Sequence, residues 1–488
     1  MNNPTQTLNY DVTFKSSKKG DFIRVKSRSS GGHSTDYFQY FERISDGSLN
    51  EKKVTKEIAP ELIEGINAKG PTEGFIINKS DMSYAIDPDD ILHRKTQKET
   101  NFTSTGEKLN FHWPIFEKLK ETGFGSIIRA TLTLHQVCSS RCQFCSTINR
   151  NKKDAISLEE AKAFVMSLYE NQGSYNAHHF PVYNEKYKEL TGSDIRLKGL
   201  ILSGGGQPNL WPHFAEFVEW LSHLDLDLGL ITNGFPKNVP DEVYSKFKWV
   251  RLSITPEDAS PFYREGKFNN QYIPRNIIEN EKIAFGLSYV YGPWSNDDIM
   301  VRISNSIEPW NLTYVRFLTD CNLGRTEQLL SHKQLAERLK RIGVIDDQGM
   351  NNGKIFHQLK FHGTKEQAID LWEEGQCFLQ SYNVFWDTTG HEVNGYSHLY
   401  PCDSVTVLSD EESGAQSARG FDGLKWGTVT NDKVDELFKN PLKPFFDPRE
   451  ICSSCLFMNN NKTVKNLLKT DDYKSIENLE RPLHTNFP

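Results

Sequence analysis

Cys138-Ser-Ser-Arg-Cys142-Gln-Phe-Cys145 places three thiols within eight residues. Ile127 to Leu134, just ahead of it, alternates apolar and polar residues as a strand does, so the loop hangs from a strand end. Thiolates are the usual ligands of iron–sulfur clusters, and a compact loop with three of them can wrap three corners of a cubane. The fourth iron is then open, which suits a metal that must bind and activate a small molecule; structural sites are closed. The competing reading is a zinc knuckle in which His135 supplies a fourth ligand.

Working outward, strand-like and helix-like segments alternate. Ser157-Leu158-Glu159-Glu160 is a capping-box pattern ahead of a stripe of Leu158, Ala161, Val165 and Leu168. Lys198–Ser203 reads as a buried strand, and Phe214, Phe217, Val218, Leu221 and Leu224 repeat at helical spacing. Leu228–Thr232, Trp249–Ile254, Phe285–Tyr291 and Tyr314–Leu318 continue the strands. Repeated β–α units predict a parallel α/β sheet with right-handed crossovers and ligands at the carboxyl ends of its strands. Three strand ends carry suitable residues: Gly204-Gly205-Gly206-Gln207-Pro208, Thr232-Asn233-Gly234, and Ser253. Glycine lets backbone approach a ligand closely, although such a turn is more often only a turn, and a polar strand end is ordinarily a cap.

The spacing C-x3-C-x2-C, with Phe144 before the last cysteine, resembles the signature of the radical S-adenosylmethionine superfamily. The resemblance covers about residues 127–320 and implies a partial (β/α)6 barrel, placed here at 127–330. It implies a 4Fe–4S cluster on Cys138, Cys142 and Cys145, whose open iron chelates the methionyl amine and carboxylate of S-adenosylmethionine. An electron from a flavodoxin- or ferredoxin-type reductant then cleaves the sulfonium to methionine and a 5′-deoxyadenosyl radical. The turn Gly204–Gln207 resembles the family's GGE motif, which holds the methionyl ammonium. Gln207 stands where the family usually has Glu, so the charge partner is lost while an amide oxygen remains. Asn233 resembles the "TNG" ending of the third strand, and Ser253 the serine that often reaches the ribose.

Cys377, Cys402, Cys452 and Cys455 form a second group, C-x24-C then C-x2-C, among short strands and turns such as Tyr382–Trp386 and Gly395–Tyr400. Four converging thiolates fill a tetrahedral zinc site or all four corners of a cubane. The order resembles the twitch domain, the shortened SPASM domain, and Lys425-Trp426-Gly427-Thr428-Val429 ahead of the acidic helix 432–438 resembles a strand common there. That likeness implies an auxiliary 4Fe–4S cluster, with structural zinc as the alternative. Fully ligated irons cannot bind substrate, so the cluster would relay electrons in an oxidation: dehydrogenation or crosslinking.

Cys321 stands apart, just past Tyr314-Val315-Arg316-Phe317-Leu318. A lone cysteine is ordinarily a small buried hydrophobe. At a strand end facing a radical, its thiol could instead return a hydrogen atom to substrate, the chemistry of radical epimerases; Tyr314, Arg316 and Asp320 lie beside it to orient a polar substrate.

The remaining organisation is bounded by bulk properties. At 488 residues, about two or three domains are expected. Residues 1–92 are an N-terminal extension of short alternating stretches such as Phe22–Val25, without a winged-helix pattern that would mark a leader-peptide module. Residues 93–126 read as linker and lead-in helix, 331–376 as a connecting helical segment, 377–458 as a small separate cluster domain, and 459–488 as a loose helix and tail. The net charge of −7 argues against nucleic acid. A polar N-terminus and no run of about 18 apolar residues predict no membrane partner and a cytoplasmic address. Eight cysteines, seven of them grouped, indicate metal ligation rather than disulfides. The expected function is a radical enzyme acting on a peptide or small metabolite. The competing class is a non-catalytic iron–sulfur carrier or redox sensor, against which the Gly204–Pro208 turn speaks, since a carrier needs no nucleoside pocket.

Overall fold

The computed structural model describes residues 105–140, 142, 144–145, 147, 150–234, 239–254, 280–320, 323, 325–346, 354–358, 376–403, 427–428, 431–443, 447–448, 455, 457–473, 476, 479 and 481–488, with backbone alone at 325–326, 329, 427–428 and 431–432. It also gives the backbone of five strands before residue 79. These are β1 (Asn9–Ser17), β2 (Gly20–Arg28), β3 (Asp36–Arg43), β4 (Leu49–Val54) and β5 (Phe75–Asn78), an antiparallel sheet in the order β4-β3-β2-β1-β5. The stretch 22–25 lies in β2, as its alternation predicts. This sheet belongs to one compact unit, Met1–Ile91 with Gly324–Leu330; Leu92–Leu323 and Ser331–Pro488 form the other.

The larger unit is built on seven parallel strands lying side by side in sequence order: β6 (Arg129–Thr133), β7 (Gly199–Ser203), β8 (Asp227–Thr232), β9 (Trp249–Ile254), β10 (Ala284–Tyr291), β11 (Tyr314–Thr319) and β12 (Ile355–Gln358). A sheet wound in one direction with right-handed crossovers puts its helices on one face, the topology of a partial barrel. Six of these strands are those the sequence pattern predicts; β12 is additional. Side chains alternate between the two faces. Leu132, Leu202, Leu230, Val250, Leu252 and Leu287 join the core that also holds Leu158, Ala161, Val165, Phe214 and Phe217 from the helices. The opposite face carries Thr131, Arg251, Ser253, Ser288 and Arg316. The capping box forms as read: Ser157 Oγ accepts the Glu160 N–H at 3.2 Å and Glu160 accepts the Ser157 N–H at 2.8 Å.

The segment expected as a separate cluster domain is continuous with this sheet. β13 (Asn383–Asp387) pairs in parallel with β6, while β14 (His398–Tyr400) and β15 (Gly427–Thr428) follow antiparallel. The cause is apolar: Val384 and Trp386 belong to the barrel core, with the Trp386 ring 4.8 Å from that of Phe164. Burying a ring of that size stabilises by about 2–3 kcal/mol, enough to dock a short strand.

The described residues of 459–488 are likewise docked, contrary to the loose tail expected. The helix Met458–Lys469 buries Val464 and Leu467 in a second core with Leu109, Phe116 and Tyr382. Beyond it, His484–Pro488 lies under the amino ends of the strands. Asn486 Nδ2 donates to Asp227 Oδ2 at 2.8 Å, the Phe487 ring sits edge-on to Trp249 at 5.3 Å, and Arg129 donates to the Pro488 carbonyl. Gly199 is required there, because a Cβ would strike the Asn486 carbonyl oxygen. These ties join residues far apart in the chain, which hydrophobic periodicity does not register. Among the described residues, no helix is long and apolar enough to cross a membrane.

Candidate functional site

The three-cysteine loop leaves β6 and is stitched to the loops that follow its neighbours. Gly206 N–H donates to the His135 carbonyl at 3.2 Å and Gln207 N–H to the Val137 carbonyl at 2.7 Å, so the glycine turn after β7 runs against residues 135–137. His135 returns the contact through Nε2, 2.7 Å from the Gln207 carbonyl. It is therefore a brace between the two loops. The glycines are demanded by this closeness: a Cβ on Gly206 would hit the Val137 carbonyl oxygen, one on Gly205 the Gln136 amide, and one on Gly204 the Gly206 carbonyl.

The loop after β8 joins them. Asn233 Nδ2 donates to Ser140 Oγ at 2.7 Å and Ser139 Oγ at 3.1 Å, inside the cysteine loop. Gln207 is buried, at 2% exposure, and its amide is engaged: Oε1 accepts the Asn233 N–H at 2.8 Å, and Nε2 donates to Thr232 and Asn209. In this arrangement Gln207 locks the β7 and β8 ends to one another. The end of β13 closes the ring, since Gln136 Nε2 donates to Thr388 Oγ1 at 3.0 Å, and Thr133 lies 3.2 Å from the same hydroxyl. Phe144 packs on Trp294, past β10, at 5.3 Å. Every one of these contacts is at the carboxyl ends of the strands, where parallel sheets carry their ligands.

Cys142 is buried, while Cys138 and Cys145 are half-buried; all three are free thiols. Cys145 Sγ lies 3.1 Å from Arg150 Nη2 and 3.4 Å from Thr147 Oγ1, donors suited to a thiolate. Sequence reading passed over both residues, although their fixed offsets behind Cys145 are visible. Ser253 is half-buried on the open face, level in register with Ser288, which in turn is level with Arg316. Arg316 is held by Ser288 Oγ at 3.2 Å and Gln358 Oε1 at 3.3 Å. Cys321 lies outside the described residues.

In the second group, Cys377, Cys402 and Cys455 are free thiols, and Cys452 lies outside the described residues. Burial pushes the Cys377 thiol well above its usual value, and the neighbouring Cys402 and Cys455 add to the effect. Cys455 is pushed up to about 12, chiefly by burial. The three are thus near enough to feel one another's charge, in an apolar setting with Tyr382 and Phe457. Among the described residues, no three His, Cys, Asp or Glu side chains converge on a single metal ion. The donor chemistry, sulfur alone, fits iron–sulfur at the first group and either zinc or iron–sulfur at the second.

No family model matches the chain, and no curated protein does. Among solved structures, it is similar to SuiB of Streptococcus suis bound to S-adenosylmethionine, at 12% identity over 88% of each chain and a TM-score of 0.41. SuiB bound to the precursor peptide SuiA gives 11% over 92% of each chain, with a TM-score of 0.41. BtrN in complex with AdoMet and 2-DOIA gives 9% over 67% of this chain and 87% of that one, with a TM-score of 0.29. In the spacing of its cysteines and the order of its parallel strands, the chain resembles the radical S-adenosylmethionine superfamily.

Proposed function

We propose that this protein is a radical S-adenosylmethionine enzyme that abstracts a hydrogen atom from a polar substrate, a peptide or a small metabolite, and completes an oxidation. The observation that carries the reading is the stitching of the cysteine loop to two strand ends: Gln207 N–H to the Val137 carbonyl, and Asn233 Nδ2 to Ser139 and Ser140. A metal loop with no organic ligand beside it needs no such convergence of glycine turn, amide and hydroxyl side chains.

Cys138, Cys142 and Cys145 would hold a 4Fe–4S cluster, and Cys377, Cys402, Cys452 and Cys455 an auxiliary one in a twitch/SPASM-like segment. Bound there, the first cluster with S-adenosylmethionine supplies a 5′-deoxyadenosyl radical, and the second an electron acceptor. The chain's own residues do the rest. The glycine turn would offer backbone groups to the methionyl end, Phe144 and Trp294 wall the loop, and Ser253 would take the nucleoside side. Arg316, braced by Ser288 and Gln358, gives the open face a fixed positive charge that orients an anionic group of the substrate. The reductant would be a flavodoxin- or ferredoxin-type protein of the cytoplasm.

The test is anaerobic reconstitution, expected to load about eight irons per chain as two four-iron clusters. Replacing Cys138, Cys142 and Cys145 together by Ala should remove one cluster and all formation of 5′-deoxyadenosine. Persisting cleavage in that variant would overturn the reading.

A further inference from the structure

Resting on that reading, we propose that Arg150 is a positioning residue that ties Cys145 to the cofactor turn and sets the reduction potential of the cluster the three cysteines hold. Two side chains bridge the same two points. Thr147 Oγ1 is 3.4 Å from Cys145 Sγ and donates to the Gly205 carbonyl at 2.8 Å. Arg150 reaches Cys145 Sγ with Nη2 at 3.1 Å and the Gly205 carbonyl with Nη1.

Their proton inventories separate the roles. A threonine hydroxyl has one proton, so Thr147 cannot donate to the sulfur and the carbonyl together. While Cys145 carries its own proton, the thiol can donate to Oγ1 and the hydroxyl to Gly205. Once Cys145 is a thiolate, that proton is gone and Thr147 has to choose. Arg150 has separate N–H groups and serves both acceptors at once. The guanidinium therefore holds the turn while giving the sulfur a charge-assisted hydrogen bond.

Two effects follow. Cluster reduction adds one electron and no proton, so a fixed cation at a ligand sulfur favours the reduced state and makes the potential more positive. Holding the Gly205 carbonyl fixes the turn that would face the methionyl end, which favours S-adenosylmethionine binding. A lysine has one compact charge and no fork, so Arg150→Lys should keep most of the potential and lose the hold on Gly205.

The experiment uses full-length reconstituted protein, with an EPR-monitored redox titration of the cluster whose signal responds to S-adenosylmethionine, and equilibrium binding of that molecule. Arg150→Met should load iron as wild type, shift the midpoint to more negative values and bind S-adenosylmethionine about tenfold more weakly, the loss of one charge-assisted hydrogen bond. Arg150→Lys should bind as weakly but titrate close to wild type. A Met variant with wild-type midpoint and affinity overturns the inference. Should the Met variant fail to load iron, the Lys variant decides, and wild-type affinity there overturns the clamp. Wild-type protein with no cluster responsive to S-adenosylmethionine would instead overturn the proposed function, a distinguishable result.

Discussion

Asn461 Nδ2 lies 3.7 Å from Cys455 Sγ, and its orientation is fixed because Oδ1 accepts the Phe378 N–H at 2.8 Å. The same Oδ1 is 4.0 Å from Cys377 Sγ, so one amide touches two thiols of the second group. An N–H directed at a cluster sulfur stabilises its reduced state. Asn461→Leu keeps the volume and removes the donor, so the auxiliary midpoint should move to more negative values while the first cluster is untouched. An unchanged auxiliary titration, or zinc in place of the second iron quartet, would sink this expectation.

The glycine turn makes a steric prediction. A methyl group on Gly206 meets the Val137 carbonyl oxygen, which is backbone and cannot swing aside. Gly206→Ala should separate the turn from residues 135–137 and abolish S-adenosylmethionine binding, read by calorimetry. At Gly205 the obstacle is the end of the flexible Gln136 side chain, so Gly205→Ala should bind more weakly than wild type yet measurably.

Gln207 predicts a stability loss. Gln207→Ala removes the acceptor of the half-buried Asn233 N–H and one of the two donors to the buried Thr232 hydroxyl, the Gly234 N–H remaining at 2.9 Å. Losing such hydrogen bonds costs about 0.5–1.5 kcal/mol each. Thermal melting of the cluster-free protein should fall by several degrees. A melting temperature equal to wild type would return Gln207 to a role with ligand alone.

Lys118 is fully buried among neutral acceptors, the Gly125 carbonyl at 3.0 Å and Asn176 Oδ1 at 2.7 Å, and burial lowers its pKa to about 7. The unfolded chain holds this proton up to its ordinary value of 10.5, whereas the folded chain sheds it near 7. Stability should therefore rise with pH between those values, with a slope approaching ~1.4 kcal/mol per pH unit. Denaturant titrations from pH 7 to 9.5 should show the rise, and Lys118→Met should flatten it.

The docked tail predicts the same sign of pH dependence in a more acidic window. Burial lowers His112 to about 4, with Arg481 and Lys198 adding to the effect against the opposing Thr485 contact. Its ring lies 2.8 Å from the Tyr187 hydroxyl and 3.1 Å from the Thr485 carbonyl. His484 is also lowered to about 4, by burial first and then by Lys108 and Lys248. The folded state holds both neutral, so their contribution is complete above about pH 6.5 and is lost as pH falls toward 4. Melting temperatures at pH 7.5, 6 and 5 should decline, and His112→Phe should start lower but decline less steeply.

The barrel strands were legible because each combines an apolar face with a polar residue or glycine at its end, and β6 to β11 fall where that pattern puts them. Cys138–Cys145 and Gly204–Gln207 were legible as short motifs at two such ends, and the structure brings them together. Three features were not. β12 is a four-residue strand without a motif. The tail is fixed by contacts of Asn486 and Phe487 with residues hundreds of positions away, which leave no periodic trace. Arg150 reads as one surface cation until the loop folds back and sets it against Cys145.

The place of β13 beside β6 bears on how such a protein can be rearranged. β6 delivers the chain to the first cysteine loop, and among the described residues its outer edge is covered by the pairing of Asn383–Trp386 with Arg129–Leu132, with Thr133 Oγ1 also donating to the Trp386 carbonyl at 3.1 Å. Cutting the chain before Cys377 would bare that edge, and exposed strand edges invite pairing with other chains. The auxiliary cysteines are therefore not an interchangeable cassette. A chimera that imports a foreign cluster segment has to import a replacement for β13 in the same register, or it will aggregate before any question of redox chemistry arises.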